Sequence, residues 1–199
     1  MKLRLAFLGL ILAAHTALAQ TAPPAAPPAN TPPRRPVVLS MTLVSPAWKD
    51  GGVIPAKYAQ PGHDTSPALT WSNVPEGTQS FVLIVRDLDS ITPAGADNFL
   101  HWMVWNIGKD SRALPEAMRE GPLPDGLRQI SGSGPYYRGP AAPASGPAHH
   151  YAFELYAVSA AVDVPAVGQP PAATKAAVES AMAGKILGKG TLIGLFKRG

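Results

Sequence analysis

The 199-residue sequence contains no cysteine. Disulfide bonds and thiol-linked lipid anchors are therefore excluded, and a folded domain of this chain must be held together by its apolar core alone. No apolar run reaches the roughly 18 residues that a membrane-spanning helix needs, so we predict no such helix. The hydrophobic content of 46% is nonetheless sufficient for one domain with a core of ordinary size.

A basic surface of the kind that binds nucleic acid is also missing. The formal net charge is +4, from 17 basic and 13 acidic residues. Four basic residues precede residue 36, and removing them from the 17 leaves 13, which equals the acidic count. Nucleic-acid recognition needs a basic face with stacking aromatics, and only a short C-terminal stretch is locally basic, so we predict no nucleic-acid partner. The early basic residues are Lys2, Arg4, Arg34 and Arg35, and the late ones are Lys185, Lys189, Lys197 and Arg198.

The first 19 residues have the three parts of a secretory signal peptide. Lys2 and Arg4 form the basic start, residues 5–14 are the apolar stretch, and residues 17–19, Ala-Leu-Ala, supply the small side chains of a cleavage site. We therefore predict cleavage directly after this motif and a periplasmic or secreted protein.

A linker rich in proline and alanine follows at residues 20–36. It contains proline pairs at 23–24, 27–28 and 32–33. Proline fixes an extended backbone and removes hydrogen-bond donors, so this segment is predicted to be a semi-rigid tether outside the core. The folded domain is accordingly predicted to span residues 37–199.

The domain carries the sequence patterns of β-strands. Leu39, Met41 and Leu43 alternate with polar residues, which predicts a strand with one buried face. The continuous apolar run at 81–85 predicts a central strand that is covered on both faces. Further strands are predicted at residues 66–71, 99–107, 151–159 and 190–197.

One helix is predicted near the C-terminus. Four apolar residues between 178 and 186 fall on one helical face, which predicts an amphipathic helix over 174–187. Residues 108–150 have little periodicity and many Gly and Pro, which indicates a functional loop system or short strands. Together these patterns predict an all-β fold with minor α content, an antiparallel Greek-key-type β-sandwich with a C-terminal helix.

Acidic and imidazole side chains lie at the ends of the predicted strands. Asp87 and Asp89 follow the run at 81–85, and their spacing places them on one side of an ideal strand unless a turn separates them. Such a pair is either a solvated strand end that caps a turn or a ligand-binding site. His101 and His149 each begin a strand directly after a loop, which favours the ligand-binding interpretation.

These residue types can bind a small anion. A carboxylate close to an imidazole favours the charged ring, and a charged ring near backbone donors accommodates an anion. Each charge-assisted hydrogen bond contributes about 1.5–3 kcal/mol, and millimolar affinity requires only about 4 kcal/mol. The remaining histidines, His15, His63 and His150, are interpreted as structural residues.

Six short motifs follow one another along the domain. They are Ser66-Pro67-Ala68-Leu69-Thr70-Trp71, Pro75-Glu76-Gly77-Thr78, Asp87-Leu88-Asp89, His101-Trp102-Met103-Val104-Trp105-Asn106, Gly139-Pro140 and His149-His150-Tyr151. In this order and approximate spacing the chain resembles the phosphatidylethanolamine-binding protein family, and most of all its bacterial Raf-kinase-inhibitor-like branch of the YbhB/YbcL type. The resemblance covers about residues 39–197. It implies a β-sandwich of two antiparallel sheets with a small anion-binding pocket near one end.

The resemblance also implies which residues form the pocket. There are three departures from the family pattern: Leu88 replaces the usual proline, Ser90 and Ile91 replace the usual Ala-Pro, and His150 stands where arginine is common. The first two departures remove rigid prolines from the pocket loop. The pocket residues carried over from the family are Asp87, Asp89, His101, Gly139, Pro140, His149 and Tyr151.

The leading functional interpretation is an exported, non-catalytic binding protein for a small anionic or phosphorylated ligand, without a cofactor. The sequence has no cysteine and no Gly-x-Ser-x-Gly elbow, and no Ser or Thr adjoins the proposed histidines in their motifs. Two alternatives stay open. One is a metal-dependent hydrolase, because Asp87, His101 and His149 are chemically adequate zinc ligands. The other is an inhibitor of an extracytoplasmic protease, since other branches of the family are inhibitors.

Overall fold

The computed structural model of this chain describes residues 37–91, 99–121, 123–166 and 170–199. The predicted signal peptide and linker lie outside the described residues. The described strands and helix are β1 (Leu39–Ser40), β2 (Thr42–Val44), β3 (Gly52–Val53), β4 (Leu69–Ser72), β5 (Ser80–Asp87), β6 (Leu100–Gly108), β7 (Ala113–Leu114), β8 (Arg128–Ile130), β9 (His149–Val158), α1 (Pro171–Met182) and β10 (Ile186–Phe196). Short 3-10 helices occupy Ala56–Tyr58, Gln60–Gly62 and Pro124–Gly126.

The larger sheet is built around a Greek key. Its strand order is β1-β10-β9-β5-β6-β8, and β3 also pairs with β10. β5, β6 and β8 are antiparallel neighbours, and β9 returns to lie beside β5, which is the Greek-key order. The predicted antiparallel Greek-key-type sandwich is confirmed, and at one edge of the larger sheet β1 and β3 run parallel to β10. Neither of these short strands is joined to β10 by a hairpin, so no tight turn imposes an antiparallel direction.

The smaller sheet covers one face of the larger one. It consists of β2, β4 and β7. In β4, Leu69 and Trp71 are buried while their neighbours along the strand are exposed, the alternation of a half-buried strand. Trp71 meets Phe81 of β5 edge-on, with ring centroids 5.4 Å apart. The main core therefore lies between the two sheets, as the predicted sandwich requires.

Helix α1 covers the opposite face of the larger sheet. Val178 and Met182 of α1 are buried in one cluster with Val82 and Ile84 of β5. The side chains at alternate positions of β5 are buried in the core between the sheets. This two-sided burial confirms the interpretation of the continuous apolar run at 81–85.

The C-terminal helix differs from its prediction at both ends. It begins at Pro171 rather than at 174, because proline suits the first turn of a helix. It ends at Met182 rather than at 187, because Gly184, with a φ of 72°, takes the chain out of the helix. Ile186 then belongs to β10, which starts four residues before the predicted strand at 190–197.

The predicted strand through Leu39, Met41 and Leu43 is divided at Met41. β1 pairs with β10 in the larger sheet, whereas β2 pairs with β4 in the smaller sheet. Met41 and Leu43 are buried, but Leu39 is half exposed, so the expectation of one continuous buried face is wrong at its first residue. The chain changes sheets at this point, which alternation in the sequence does not reveal.

The segment from 108 to 150 combines short strands with loops that reach back to the sheets. β7 and β8 lie in it, and the N–H of Ala117 donates to the carbonyl of Ser66. The N–H of Arg138 donates to the carbonyl of His101 at 2.9 Å. The prediction of short strands in this segment is thus confirmed, and one of its loops contacts the candidate site.

Candidate functional site

Three long strands bring the predicted polar residues to one end of the larger sheet. β5 ends at Asp87, where its antiparallel neighbours β6 and β9 begin. Asp87 pairs in register with Tyr151 of β9. Asp87, His101 and Tyr151 are each at most 5% exposed. A carboxylate, an imidazole and a phenol are therefore buried together at this end.

A β-bulge places His101 at the site. Trp102 of β6 pairs with Val85, and Leu100 pairs with Arg86, so His101 is the extra residue on its strand. Bulges bend a strand and re-aim its side chains, and they are common beside functional sites. In a regular strand, neighbouring side chains point to opposite faces. The bulge removes this constraint at His101, so its ring contacts Tyr151 while the next residue, Trp102, is buried in the core between the sheets.

The ring of His101 is held by one hydrogen bond and two aromatic contacts. Its Nδ1 lies 2.7 Å from the carbonyl oxygen of Arg138. The rings of Phe99 and Tyr151 meet it edge-on, at centroid distances of 4.9 and 5.0 Å. Burial lowers the pKa of His101, while the Arg138 carbonyl and the Asp87 carboxylate act in the opposite direction. Burial prevails, so the free protein holds this ring neutral at neutral pH.

The carboxylate of Asp87 uses both of its oxygens. Oδ1 accepts hydrogen bonds from the N–H groups of Asp89 and Ser90, at 2.9 and 3.1 Å. Oδ2 lies 2.8 Å from Nδ1 of His149. The turn after β5 therefore fixes the carboxylate, and the carboxylate fixes the imidazole of His149.

Tyr151 joins the two histidines to the loop beyond them. Its hydroxyl oxygen accepts hydrogen bonds from the N–H groups of Ala141 and Ala142, both at 3.2 Å. Burial raises the pKa of Tyr151, and the nearby Asp87 carboxylate raises it further, against the lowering effect of the Ala141 N–H. Tyr151 is therefore a neutral phenol that positions the loop, not a base.

These side chains line a cavity of about 330 Å³. Two more apolar cavities of about 440 Å³ each are lined mainly by residues 107–129. We place the candidate site at the smaller cavity because, within the described part of the chain, the acid, both imidazoles and the phenol converge there. Its lining residues are Gln60, Asp87, Ser90, Ile91, Phe99, His101, Ala141, Ala142, Pro143, His149 and Tyr151.

The sequence also matches the profile of a known family. That family is described as phosphatidylethanolamine-binding protein (PBP), and the match spans residues 44–197. The chain belongs to the phosphatidylethanolamine-binding protein family. The resemblance inferred from six motifs is thereby confirmed.

Individual relatives place the chain in the bacterial branch of this family. A UPF0098 protein of Aquifex aeolicus is 41% identical over 160 residues, which cover 79% of this chain and 89% of the relative. The UPF0098 protein YbhB of Escherichia coli is 35% identical over 126 residues, covering 59% and 78%. A crystal structure of a phosphatidylethanolamine-binding protein homologue from Chlamydia trachomatis has a TM-score of 0.66 at 28% identity, over 80% of this chain and 99% of that one.

The glycine-proline pair of the family motif lies directly behind the cavity wall. A Cβ on Gly139 would lie 2.5 Å from the carbonyl oxygen of Tyr58, so only glycine permits this close approach. The carbonyl of Pro140 accepts a hydrogen bond from the N–H of Gln60 at 3.0 Å. The wall itself is formed by residues 141–143. The pair therefore anchors the loop that lines the cavity.

Asp89, the second acid of the family motif, is not among the lining residues. Its Oδ2 accepts the N–H of His150 at 2.6 Å and lies 2.8 Å from Nδ1 of the same residue. That N–H lowers the pKa of Asp89 against the opposing effect of burial. The turn therefore separates the two acids, with Asp87 at the cavity and Asp89 on the neighbouring loop surface.

Leu88, the departure from the family's proline, has a defined role in this turn. Its N–H donates to the carbonyl of His150 at 2.9 Å. Proline has no N–H and could not make this bond. The hydrogen bonds of Leu88 and Asp89 to His150 hold the turn against β9 without the rigidity of a proline.

A network beside the cavity, to which the lining residue Gln60 contributes, was not predicted from the sequence. The guanidinium of Arg138 donates to Oε1 of Gln60 at 3.1 Å and to Oδ2 of Asp64 at 3.3 Å. Asp64 also accepts the N–H of Gly139 at 2.8 Å. Because the carbonyl of Arg138 bonds His101, this network positions the imidazole. The sequence gives only a weak signal for this network. Arg138 adjoins the glycine-proline motif, but the partners of Arg138 lie 74 and 78 residues away in the sequence.

The candidate site has no ready set of metal ligands among the described residues. No group of three or more His, Cys, Asp or Glu side chains there could hold a metal ion. Asp87 and His149 bond each other, and His101 bonds a backbone carbonyl. The metal-dependent hydrolase alternative therefore receives no support from the geometry. In the same described ranges, no helix is both long and apolar enough to cross a membrane.

Proposed function

We propose that this chain is an exported, non-catalytic binding protein whose cavity holds the phosphate-like or carboxylate head group of a small ligand. The observation that supports this best is the convergence of the Asp87–His149 pair and His101 on one cavity of about 330 Å³. A cavity near the lower end of the usual range for ligand sites suits a head group and the first atoms of its substituent.

The charges of the site favour an oxyanion over a larger apolar ligand. A protonated His149 forms an ion pair with Asp87 and keeps its Nε2–H for a ligand. This pair is neutral overall, so Asp87 does not repel an approaching anion. A second bond, to a protonated oxygen of the ligand, is available at His101, because its neutral ring uses its N–H on the Arg138 carbonyl. A charge-assisted bond of about 1.5–3 kcal/mol and a neutral bond of about 0.5–1.5 kcal/mol together approach the roughly 4 kcal/mol of a millimolar complex.

The polar groups of the cavity are suited to binding rather than to covalent catalysis. The Oγ of Ser90 donates to the carbonyl of Asp87 and accepts the N–H of Phe99, so it is held by the turn and not by a histidine. Burial keeps Tyr151 a neutral phenol. A nucleophile requires an adjoining base or a lowered pKa. The Ser90 hydroxyl bonds no histidine and the pKa of Tyr151 is raised by burial, so neither hydroxyl is activated in this way.

Thermal unfolding with inorganic phosphate tests this proposal. Phosphate binds the folded state, so the melting temperature should rise with phosphate concentration, by the equivalent of about 1.4 kcal/mol at ten times the Kd. His101→Ala and His149→Ala should abolish the rise. His150→Ala is the matched control, because His150 adjoins His149 but its ring lies outside the cavity lining. Equal phosphate-induced rises in all four proteins would contradict the proposal.

The export part of the proposal has a separate test. Cell fractionation of the native host and N-terminal sequencing of the protein should find it outside the cytoplasm, beginning at Gln20. A cytoplasmic protein that retains residues 1–19 would contradict export and leave the ligand proposal untouched.

A further inference from the structure

A second cavity lies towards the opposite end of β6 from the candidate site. It has a volume of about 440 Å³, its described lining residues lie between Ile107 and Leu127, and we call it the loop cavity. Ile107 lines the loop cavity, whereas His101 lines the candidate site. A strand rises about 3.3 Å per residue, so these two positions on β6 are roughly 20 Å apart. The two cavities share no lining residue and are therefore separate.

Most of the lining of the loop cavity is apolar. Ile107 and Leu114 belong to the buried core between the sheets, and Met118 and Leu127 pack against that core while only partly buried. A ligand in this cavity would therefore remove apolar surface from water. The cavity volume also lies within the range of about 300–1,000 Å³ that is usual for small-molecule sites.

Hydrogen bonds from distant parts of the chain hold one wall of the loop cavity in place. The N–H groups of Ala117 and Met118 donate to the carbonyl and the hydroxyl of Ser66, at 2.9 and 2.8 Å. The side-chain amide of Gln129, which is buried, donates to the carbonyl of Arg119 at 2.7 Å. This wall exists before any ligand arrives, so binding does not have to order it.

The guanidinium of Arg119 distinguishes the loop cavity from the neighbouring cavity of the same volume. Arg119 lines the loop cavity, is exposed, and forms no ion pair with any side chain that the structure describes. Arg128 lines the neighbouring cavity, but its guanidinium donates to Asp163 at 2.6 Å and to the carbonyl of Val164 at 2.9 Å. A guanidinium matches a carboxylate in charge and in shape. The loop cavity thus combines an apolar interior with one cation that is available to a ligand.

We propose that the loop cavity is a second ligand site, which binds amphipathic monocarboxylates with an apolar chain of medium length. The apolar chain packs against Met118, Leu123 and Leu127, and the carboxylate pairs with Arg119. A dianion fits less well, because its second charge would lie beside apolar walls without a partner. The inference goes beyond the proposed function, since it concerns a different cavity with different polar groups.

Titration of the purified, isotope-labelled protein with octanoate, followed by NMR, locates the site and measures its affinity. The amide signals of Leu114, Met118 and Leu127 should shift, and those of Asp87 and the other candidate-site residues should not. This comparison is needed because the candidate site is itself proposed to accept a carboxylate head group. Shifts confined to the candidate site, or no shifts at millimolar octanoate, would overturn the inference.

Two further ligands test the two parts of the proposed molecule. Octanoate should bind about ten-fold more tightly than hexanoate, since each buried methylene multiplies the affinity by about four. It should also bind about five-fold or more tightly than octanol, which has the same chain length but no charge. Affinities of all three ligands within about two-fold of one another would overturn the inference.

Arg119→Gln tests the role of the guanidinium. Arg119 is exposed, so the variant should fold, and its affinity for octanoate should fall about five-fold or more while its affinity for octanol is unchanged. Lys109→Gln is the matched control, because Lys109 contacts Asp110, lies outside the cavity lining and removes the same charge. Equal octanoate affinities in the two variants would overturn the inference. Failure of phosphate to bind the candidate site would leave these results standing, so the two proposals fail separately.

Discussion

Two aspartate–histidine pairs lie side by side at the end of β5 and have the same local geometry. In both, the histidine Nδ1 lies 2.8 Å from an aspartate Oδ2. The side chains of His149 and Asp87 are 20% and 7% exposed, whereas those of His150 and Asp89 are 54% and 43% exposed. One pair lines the cavity and the other lies on the loop surface. Burial, and not the bond itself, is what separates a candidate site from a surface contact.

The difference in burial has an electrostatic consequence. An exposed ion pair is screened by water and contributes little to stability, whereas a buried acid that loses its partners leaves polar groups unsatisfied. Asp87 also accepts two backbone N–H groups of its own turn, so its environment depends on the fold around it. Four sets of substitutions test whether burial makes the two pairs behave differently.

The largest effect is expected from removing the two acids separately. Asp87→Ala should lower the free energy of unfolding by about 3 kcal/mol, because two N–H groups and the ring of His149 lose a buried acceptor. Asp89→Ala should lower it by about 1 kcal/mol or less, since solvent screens the exposed pair. Urea unfolding of the two variants measures both values. Equal losses would show that burial does not distinguish the pairs.

A smaller effect is expected in the coupling between the partners of each pair. A double-mutant cycle with Asp87→Asn and His149→Ala should give an interaction energy of about 2 kcal/mol, because the contact is largely shielded from water. The matched cycle with Asp89→Asn and His150→Ala should give about 0.5 kcal/mol or less. Urea unfolding supplies all the free energies. A larger coupling for the exposed pair would reverse the comparison.

The main strands of the fold could be predicted because the apolar residues in their sequences indicate which faces are buried. The run at 81–85 is apolar on both faces of its strand, and the structure covers both faces. The same reasoning failed at Ile186, where an apolar residue that fitted a helical face belongs to the next strand. It also failed at Leu39, because the chain changes sheets at Met41. Local periodicity does not encode where the chain turns or which sheet a strand joins.

The candidate site was predictable in its residues more than in its geometry. Motifs pointed to Asp87, His101 and His149, and the structure brings them together at one cavity. The spacing of Asp87 and Asp89 suggested a common side, but the strand ends at Asp87 and the turn separates the acids. The bulge at His101 and the Asp64–Arg138 contact depend on pairing between distant segments, which one sequence does not display.

The free energy of unfolding should depend on pH through one group near each pair, namely His101 beside the buried pair and Asp89 of the exposed pair. Burial lowers the pKa of His101 below 6.5, so the unfolded chain takes up its proton first and stability falls as the pH drops from about 6.5 through the lowered value. The His150 N–H lowers the pKa of Asp89 below 3.8. The ionised Asp89 therefore contributes to stability above pH 3.8, and this contribution is lost as the pH falls through the lowered pKa. Urea unfolding at a series of pH values measures both. His101→Gln should flatten the first region, and Asp89→Ala the second.

The smallest effect is expected at Leu88, which lies between the two acids. Leu88→Pro removes the N–H that donates to the carbonyl of His150, so the free energy of unfolding should fall by about 1 kcal/mol or less. Leu88→Ala keeps that N–H and is the matched control. Phosphate-induced thermal protection should survive both changes, because the bond braces the outer side of the turn while Asp87 and His149 line the cavity. Loss of protection in Leu88→Pro alone would mean that the surface contact also positions the buried pair, and the two regions would then have to be treated as one site.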